Sequence, residues 1–305
     1  MNYIVDENKI IVKTENFDPK SIFECGQTFS FRKIGDVYFT FPEDKLAAVY
    51  LDGENYVVEC LAGDTKFFIN YFDLERDYQK IILEIEKINA SQEDFDRKLI
   101  EKSLKFGRGI RILKQELVET IVSFIFSANN NIKRFTASLN QLRQDFGNEI
   151  SIESEASQRI KELISNQKFF SFPSLKALLK LDEAYFSKIG AGYRAPYLFE
   201  TIKVLPNFLA EDFSFMSTDQ LLKELVSLKG IGRKVAQCVM LFGFGRVDCF
   251  PVDTWIKQVY NDLNRGEGEK NEQQISSHLI KIFGNYSGYA QQYLFYYKRE
   301  LKQLV

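Results

Sequence analysis

With 305 residues, 45% of them hydrophobic and 28 of them Phe, the chain carries enough apolar side chain for a sizeable core in one large or two ordinary domains, which excludes a disordered protein. A formal net charge of −2 and a pI near 5.8 exclude any global attraction to polyanions, so a nucleic-acid surface would have to be assembled from local clusters of cations. Four scattered cysteines (Cys25, Cys60, Cys238, Cys249), no C-x-x-C and the single histidine His278 argue against a zinc or iron–sulfur site and for a reducing, intracellular setting.

The first residues, MNYIVDENKIIVKTENF, are polar and acidic where a secretion signal would be basic and then apolar. No run reaches the roughly 20 apolar residues of a membrane span, so the expectation is a soluble intracellular protein. Up to about Asp64 the stretches KIIVKT, TFSFRKI, VYFTF, KLAAVYL and NYVVEC alternate apolar with polar residues, and Gly35-Asp36, Pro42-Glu43-Asp44 and Asp52-Gly53 supply turns between them. That pattern predicts an antiparallel meander. From Thr65 onward, beginning FFINYFDLERDYQKIILEIEKI, the period becomes helical and stays so, with short breaks, to the end. The predicted class is α+β: an N-terminal antiparallel sheet domain with flanking helices over 1–115, then an all-helical region over 116–305.

The segment Lys102 to Lys114 holds Lys102, Lys105, Arg108, Arg111 and Lys114 and no acid. It marks the expected domain boundary and reads either as a phosphate surface or as a solvated face. After the apolar helix ETIVSFIFSA come Asn129-Asn130-Asn131, Lys133 and Arg134. The asparagines either cap a helix end or place amides where bases and phosphates are read. Gly190-Ala191-Gly192, followed by Tyr193 and Arg194, is either a helix-linking turn or a close backbone approach with an aromatic and a guanidinium behind it.

The densest chemistry lies between Leu225 and Tyr260. The chain there reads helix, Gly230-Ile231-Gly232 hairpin, helix, and then Pro251-Val252-Asp253 into another helix, which places a helix-hairpin-helix at about 222–242. Gly230 and Gly232 can take backbone angles closed to other residues and turn amide groups outward beside a helix start, which suits a backbone phosphate. Lys234 falls in the first helical turn, where the positive end of the dipole disfavours an ammonium and favours an amine nucleophile. Cys238, four residues on, shares its face. Asp253 is an N-cap by position, and a carboxylate there also stabilises positive charge developing on a sugar ring. An amine, a carboxylate and a phosphate-gripping turn together point to attack at the anomeric carbon of a nucleotide. In the last helix, SGYAQQYLFYYKREL, Gln291 and Phe295 share one face, a placement that by itself reads as core.

The hairpin LKGIGRKVAQC followed by FPVD resembles the helix-hairpin-helix and Gly/Pro-Asp motif of base-excision DNA glycosylases. Within that superfamily the chain is similar to 8-oxoguanine DNA glycosylases of the eukaryotic type, because CGQTFSFR, GIRILKQ, FIFSANNNIKR, FPSLKAL, GAGYRAPY, the hairpin and GYAQQYLF occur in the family's order. The resemblance implies bent duplex DNA with the damaged base flipped into a pocket between the sheet and helical parts. It implies that Lys234 displaces the base and forms a Schiff base, and that Asp253 is the essential aspartate. Cys238 and Phe295 would sandwich the base, Gln291 would read its Watson–Crick edge, and the Gly26 carbonyl would accept the ring NH that distinguishes 8-oxoguanine from guanine. Asn129, Arg134, Tyr193 and Arg194 would fill the vacated space and meet the orphaned cytosine, while Gly230 and Gly232 would hold the backbone.

Two positions depart from the family pattern. Trp255 replaces a histidine expected at a DNA contact, and Gln237 replaces an acid expected before the pocket cysteine. The implied partner is double-stranded DNA containing 8-oxoguanine, met by a monomer located with the DNA in nucleoid or nucleus and away from membranes. No cofactor or catalytic metal is required, and a structural cation between hairpin and phosphate is compatible with the pattern. The competing readings are a superfamily enzyme with another base preference and a non-catalytic helix-hairpin-helix DNA-binding module. Gly26, Gln291 and Phe295 weigh against the first, and Lys234 against the second.

Overall fold

In the computed structural model, which describes residues 3–91, 97–150, 157–164, 167–263 and 269–303, six strands form one fully antiparallel sheet. They are β1 (Tyr3–Asp6), β2 (Lys9–Val12), β3 (Phe31–Ile34), β4 (Val37–Thr40), β5 (Ala47–Asp52) and β6 (Asn55–Cys60), in the order β1-β2-β6-β5-β4-β3. The predicted meander holds only from β3 to β6. β2 pairs with β6, Lys9 opposite Glu59 and Val12 opposite Tyr56, and β1, absent from the predicted strands, extends that edge as a hairpin.

The connection from β2 to β3 must therefore cross the sheet to its far edge, and it carries Gly26. Helix α1 (Pro19–Phe23) interrupts it because Asp18 accepts the amide of Ser21 at 2.9 Å and Pro19 supplies a helix-ready first residue. The predicted strand TFSFRKI is correspondingly cut to its last four residues. β4 and the start of β5 are buried on both faces, where alternation predicted one wet face. One face packs under α1 and α2 (Thr65–Tyr71) through Phe23, Phe68 and Phe72, and the other is covered by Ile150, Ile160 and Phe169.

The helical body follows with α3 (Tyr78–Ala90), α4 (Arg97–Phe106), α5 (Leu117–Ser127), α6 (Ile132–Phe146), α7 (Gln158–Ile164), α8 (Leu175–Leu178) and α9 (Glu183–Lys188). After a 3-10 turn at Gly192–Arg194 come α10 (Ala195–Phe208), α11 (Thr218–Ser227), α12 (Arg233–Phe242), α13 (Thr254–Leu263), α14 (Glu272–Phe283) and α15 (Ser287–Gln303). α5 is buried on every side from Val118 to Phe126, its Glu119, Thr120 and Ser123 included, and packs against α10 and α12. Ser217 and Gln220 form a capping box that starts α11 at Thr218, so the helix-hairpin-helix spans 218–242 rather than beginning near 222. α4 lies along α15, with Phe106 against Tyr296 and Tyr297, so the two ends of the helical body close on each other.

Candidate active site

Three stretches distant in sequence converge here: the β2–β3 connection, the hairpin with α12 and the start of α13, and α15. The hairpin bends at Gly230, where φ is +77° and a Cβ would lie 2.5 Å from that of Tyr197. Only glycine fits that turn. Gly232 is different, since its φ of −79° suits any residue and a Cβ there would meet nothing within 4 Å. The expectation that both glycines adopt closed angles thus holds for Gly230 alone, and Gly232 leaves open space before the N-terminus of α12.

Lys234 occupies the first turn of α12, with its Nζ 5.7 Å from the centroid of the Phe124 ring on α5 and its charge beside the Cys238 thiol. Burial raises the Cys238 thiol above its usual range, opposed by the neighbouring Lys234 charge, so the sulfur stays protonated. Asp253 caps α13: its Oδ1 accepts the Ile256 amide at 2.8 Å and its carbonyl accepts that of Lys257 at 2.9 Å. Burial also pushes the Asp253 carboxyl above the ordinary aspartate range, opposed by the Ile256 amide and the charge of Lys234.

Gly26 enters from the sheet side with φ +81°, and a Cβ on it would press on Phe295 at 3.3 Å. Its neighbours are tied to α15, Gln292 Nε2 donating to the Cys25 carbonyl at 2.9 Å and Arg299 donating to that of Glu24. No hydrogen bond among the described residues ends on the Gly26 carbonyl. Gln291 is 5% exposed, yet its Oε1 has no partner. A buried acceptor left open in this way calls for an explanation, and a ligand supplies one.

Gly26, Lys234, Cys238, Asp253, Gln291 and Phe295 all line one cavity of about 30 Å³, completed by Phe124, Phe242, Pro251 and Gln292. That volume suits roughly one water, so a guest the size of a nucleobase would need the walls to part.

The second group of predicted residues lies at the neighbouring surface. Asn130 and Asn131 do capping work, Asn130 Nδ2 donating to the Phe126 carbonyl at 3.0 Å and Asn131 accepting the Arg134 amide at 3.3 Å. Asn129 does not cap. It sits at φ +48°, and its carbonyl accepts Arg194 Nη2 at 2.6 Å. Arg194 is turned inward, 6% exposed, and also donates to the carbonyls of Ala128 at 2.6 Å and Ala191 at 3.2 Å. In this arrangement it holds the Asn129 loop and does not offer its guanidinium outward. Tyr193 is 56% exposed and stacks on Arg194, Arg134 is exposed on α6, and Trp255 is half-buried in the first turn of α13.

The 102–114 segment divides. Arg111 is fully buried and donates to the carbonyls of Asn16, Phe72, Asp73 and Arg76, while Arg108 pairs with Glu15 and Lys114 with Asp73. Those three cations serve the fold, so the segment is not a phosphate surface built from all five.

Residues 9–121 match the family described as the 8-oxoguanine DNA glycosylase N-terminal domain, and residues 122–284 match the HhH-GPD superfamily of base-excision DNA repair proteins. The crystal structure of the Clostridium acetobutylicum 8-oxoguanine glycosylase/lyase, in complex with double-stranded DNA containing cytosine opposite 8-oxoG, is 31% identical, with a TM-score of 0.85 over 99% of this chain and 100% of that one. MBOgg1, in complex with a low-affinity DNA ligand, is 33% identical with a TM-score of 0.85 over the same shares. The curated N-glycosylase/DNA lyase of Saccharomyces cerevisiae is 28% identical, covering 94% of this chain and 85% of that protein.

The chain belongs to the 8-oxoguanine DNA glycosylase family.

Within that family frame the Gln237 departure is explained by its surroundings. The side chain points away from the cavity, donating to Ser276 Oγ at 2.8 Å, which in turn donates to the Phe250 carbonyl at 2.9 Å. Gln237 therefore ties α12 and α14 to the loop that delivers Pro251 and Asp253. The sequence reading missed Phe124, Gln292 and Arg299. Phe124 is hidden among the apolar residues of α5, where an aromatic reads as core. Arg299 was detectable, since it continues the Gln291 and Phe295 face by another four residues.

Proposed function

We propose that this chain flips 8-oxoguanine out of duplex DNA, preferentially opposite cytosine, removes it with Lys234, and then cleaves the strand through a Schiff base. The carrying observation is that one cavity gathers an amine, a carboxylate, an uncommitted backbone carbonyl, an open glutamine acceptor and an aromatic face. In this reading the Lys234 amine attacks C1′, and the base departs with the electrons of the glycosidic bond while Asp253 stabilises positive charge on the sugar. The ring opens to an imine, loss of a C2′ proton follows, and the 3′ phosphate leaves by β-elimination. Gly26 and Gln291 supply selectivity. An unmodified guanine would face the Gly26 carbonyl with an acceptor of its own, leaving a buried group unpaired at about 1–3 kcal/mol.

Asn129, Arg134 and Tyr193 support a role at the vacated position and its cytosine, with Arg194 holding their loop. Gly230 and the open space at Gly232 support a phosphate seat, and Trp255, in the first turn of α13, is assigned a further contact to the DNA backbone. No cofactor takes part in this chemistry. A cation bridging hairpin to phosphate would be structural; among the described residues no hydrogen bond ends on the Gly230 or Ile231 carbonyl, whereas those of Leu228 and Lys229 accept bonds from Ile231 and Thr201. No helix among the described residues is long and apolar enough to cross a membrane. The enzyme would work as a monomer wherever the cell keeps its DNA.

Borohydride trapping on duplexes carrying 8-oxoguanine opposite each of the four bases tests the proposal. A covalent adduct is expected, strongest opposite cytosine, and Lys234→Gln should abolish it while retaining duplex binding. Absence of an adduct with the wild-type protein would overturn the lysine mechanism.

A further inference from the structure

Arg299 lines no part of the base cavity, yet it touches every element that shapes the cavity's discriminating wall. It follows Gln291 and Phe295 at the same helical spacing on α15, so all three share a face. Its guanidinium donates to the Glu24 carbonyl, its Cζ lies 5.6 Å from the centroid of the Phe295 ring, and its Nη1 would be 3.1 Å from a Cβ on Gly26. The side chain is only 12% exposed and is steadied by Glu300, whose Oε1 accepts from Nη2 at 3.1 Å.

Glu24 is the pivot of this arrangement. Its carboxylate accepts the Tyr38 hydroxyl on β4 at 2.5 Å, while its carbonyl is held from α15 by Arg299. One residue on, the Cys25 carbonyl is held by Gln292. Two consecutive peptides are thus pinned by α15, and the left-handed turn at Gly26 follows with its carbonyl uncommitted. Behind that wall lies a cleft of about 620 Å³, lined by Gly26, Arg299, Thr28 and Phe29 among others. Gly26 lines both spaces, with Phe295 on the side of the small cavity and Arg299 on the side of the cleft.

We propose that Arg299 is a positioning residue for base discrimination: it fixes the Glu24–Gly26 backbone, and so the direction of the Gly26 carbonyl, while backing the Phe295 ring by cation–π contact. It acts through Gly26 and Phe295 and does not touch the base. The inference rests on the base-pocket reading given above.

The test compares two reactions of the enzyme. Single-turnover excision of 8-oxoguanine opposite cytosine needs the discriminating wall, whereas borohydride trapping on a duplex with a preformed abasic site has no base to hold. Arg299→Met keeps an apolar stem and removes the donors, and it should lower excision about tenfold more than it lowers abasic trapping. Arg299→Lys, which still reaches one carbonyl, should recover part of the excision rate. Equal loss in both reactions would reduce Arg299 to a fold-stabilising residue, and no loss in either would remove it from the site. Phe295→Ala is the reference: if it excises at the wild-type rate, the base-pocket reading itself fails, whatever Arg299 does.

Discussion

Asp253 serves two purposes whose energetics oppose each other. As the N-cap of α13 it is fixed by the Ile256 amide, and as the carboxylate in the Lys234 cavity it is buried enough for its protonation equilibrium to rise. A carboxyl whose folded pKa lies above its unfolded value binds protons more tightly in the native state, so it costs stability as pH rises. The cost is absent below the ordinary aspartate value, grows as pH passes up through the raised native value, and is complete above it. Asp253→Asn, which keeps a capping oxygen without the charge, should therefore raise the melting temperature at neutral pH and lose that advantage on acidification. Excision should fall by about 10²–10³-fold, the loss typical of removing one preorganised electrostatic partner. Thermal unfolding of both proteins across the acid range checks the sign. A stability gain that persisted or grew at low pH would show that the Asp253 carboxylate is not held at a cost in the native state.

At the scale of elements, the hairpin separates a glycine that the fold requires from one that it does not. Gly230→Ala forces a Cβ to 2.5 Å from Tyr197 Cβ at a positive φ, so strain and overpacking of about 1–3 kcal/mol each should lower stability and shift the hairpin. Gly232→Ala has room and an ordinary backbone. It should leave the melting temperature within a degree or so, yet weaken duplex binding if a phosphate approaches the hairpin there. Wild-type duplex affinity for Gly232→Ala would withdraw Gly232 from the interface. The contrast also shows what was legible in the sequence. The change from a strand region to a helical one near Thr65, the hairpin, and the placement of Lys234, Cys238 and Asp253 follow from local pattern, because each is settled within a few turns of chain, whereas β1 and α1 are not read from it. The crossing from β2 to β3, the burial of β4 on both faces and the inward turn of Arg111 and Arg194 depend on which distant surfaces cover them, and local periodicity carries no record of that. Gln291 and Phe295 illustrate the boundary: their shared face is local, while their meeting with Gly26 at the other end of the chain is visible only through family resemblance or the fold.

For the molecule as a whole, the proposed function requires that Gly26, carried by the sheet-side connection, keep its register with Lys234 on α12. One buried polar joint spans these parts. Arg143 on α6, 2% exposed, donates to Glu119 on α5 at 2.5 Å and to the Ser30 hydroxyl at 2.6 Å, and Ser30 also donates to Glu119. Ser30 ends the connection that bears Gly26, and the Arg143 guanidinium is flanked by the rings of Phe41 and Phe172. Desolvation makes such a pair a poor source of net stability, but removing one partner strands the other charge in the interior. Arg143→Met should therefore destabilise the protein by about 3–5 kcal/mol, and Glu119→Gln on the same chain should restore much of it by removing the stranded carboxylate. Because both variants loosen the tether between Ser30 and the helical body, each should also lose 8-oxoguanine excision more than abasic-site trapping at temperatures where it is fully folded. Denaturant midpoints for the two single variants and the double, with both reactions measured on each, decide the matter. If the double variant regains stability and the two reactions fall in step, the joint holds the fold together without setting the register of Gly26 against Lys234.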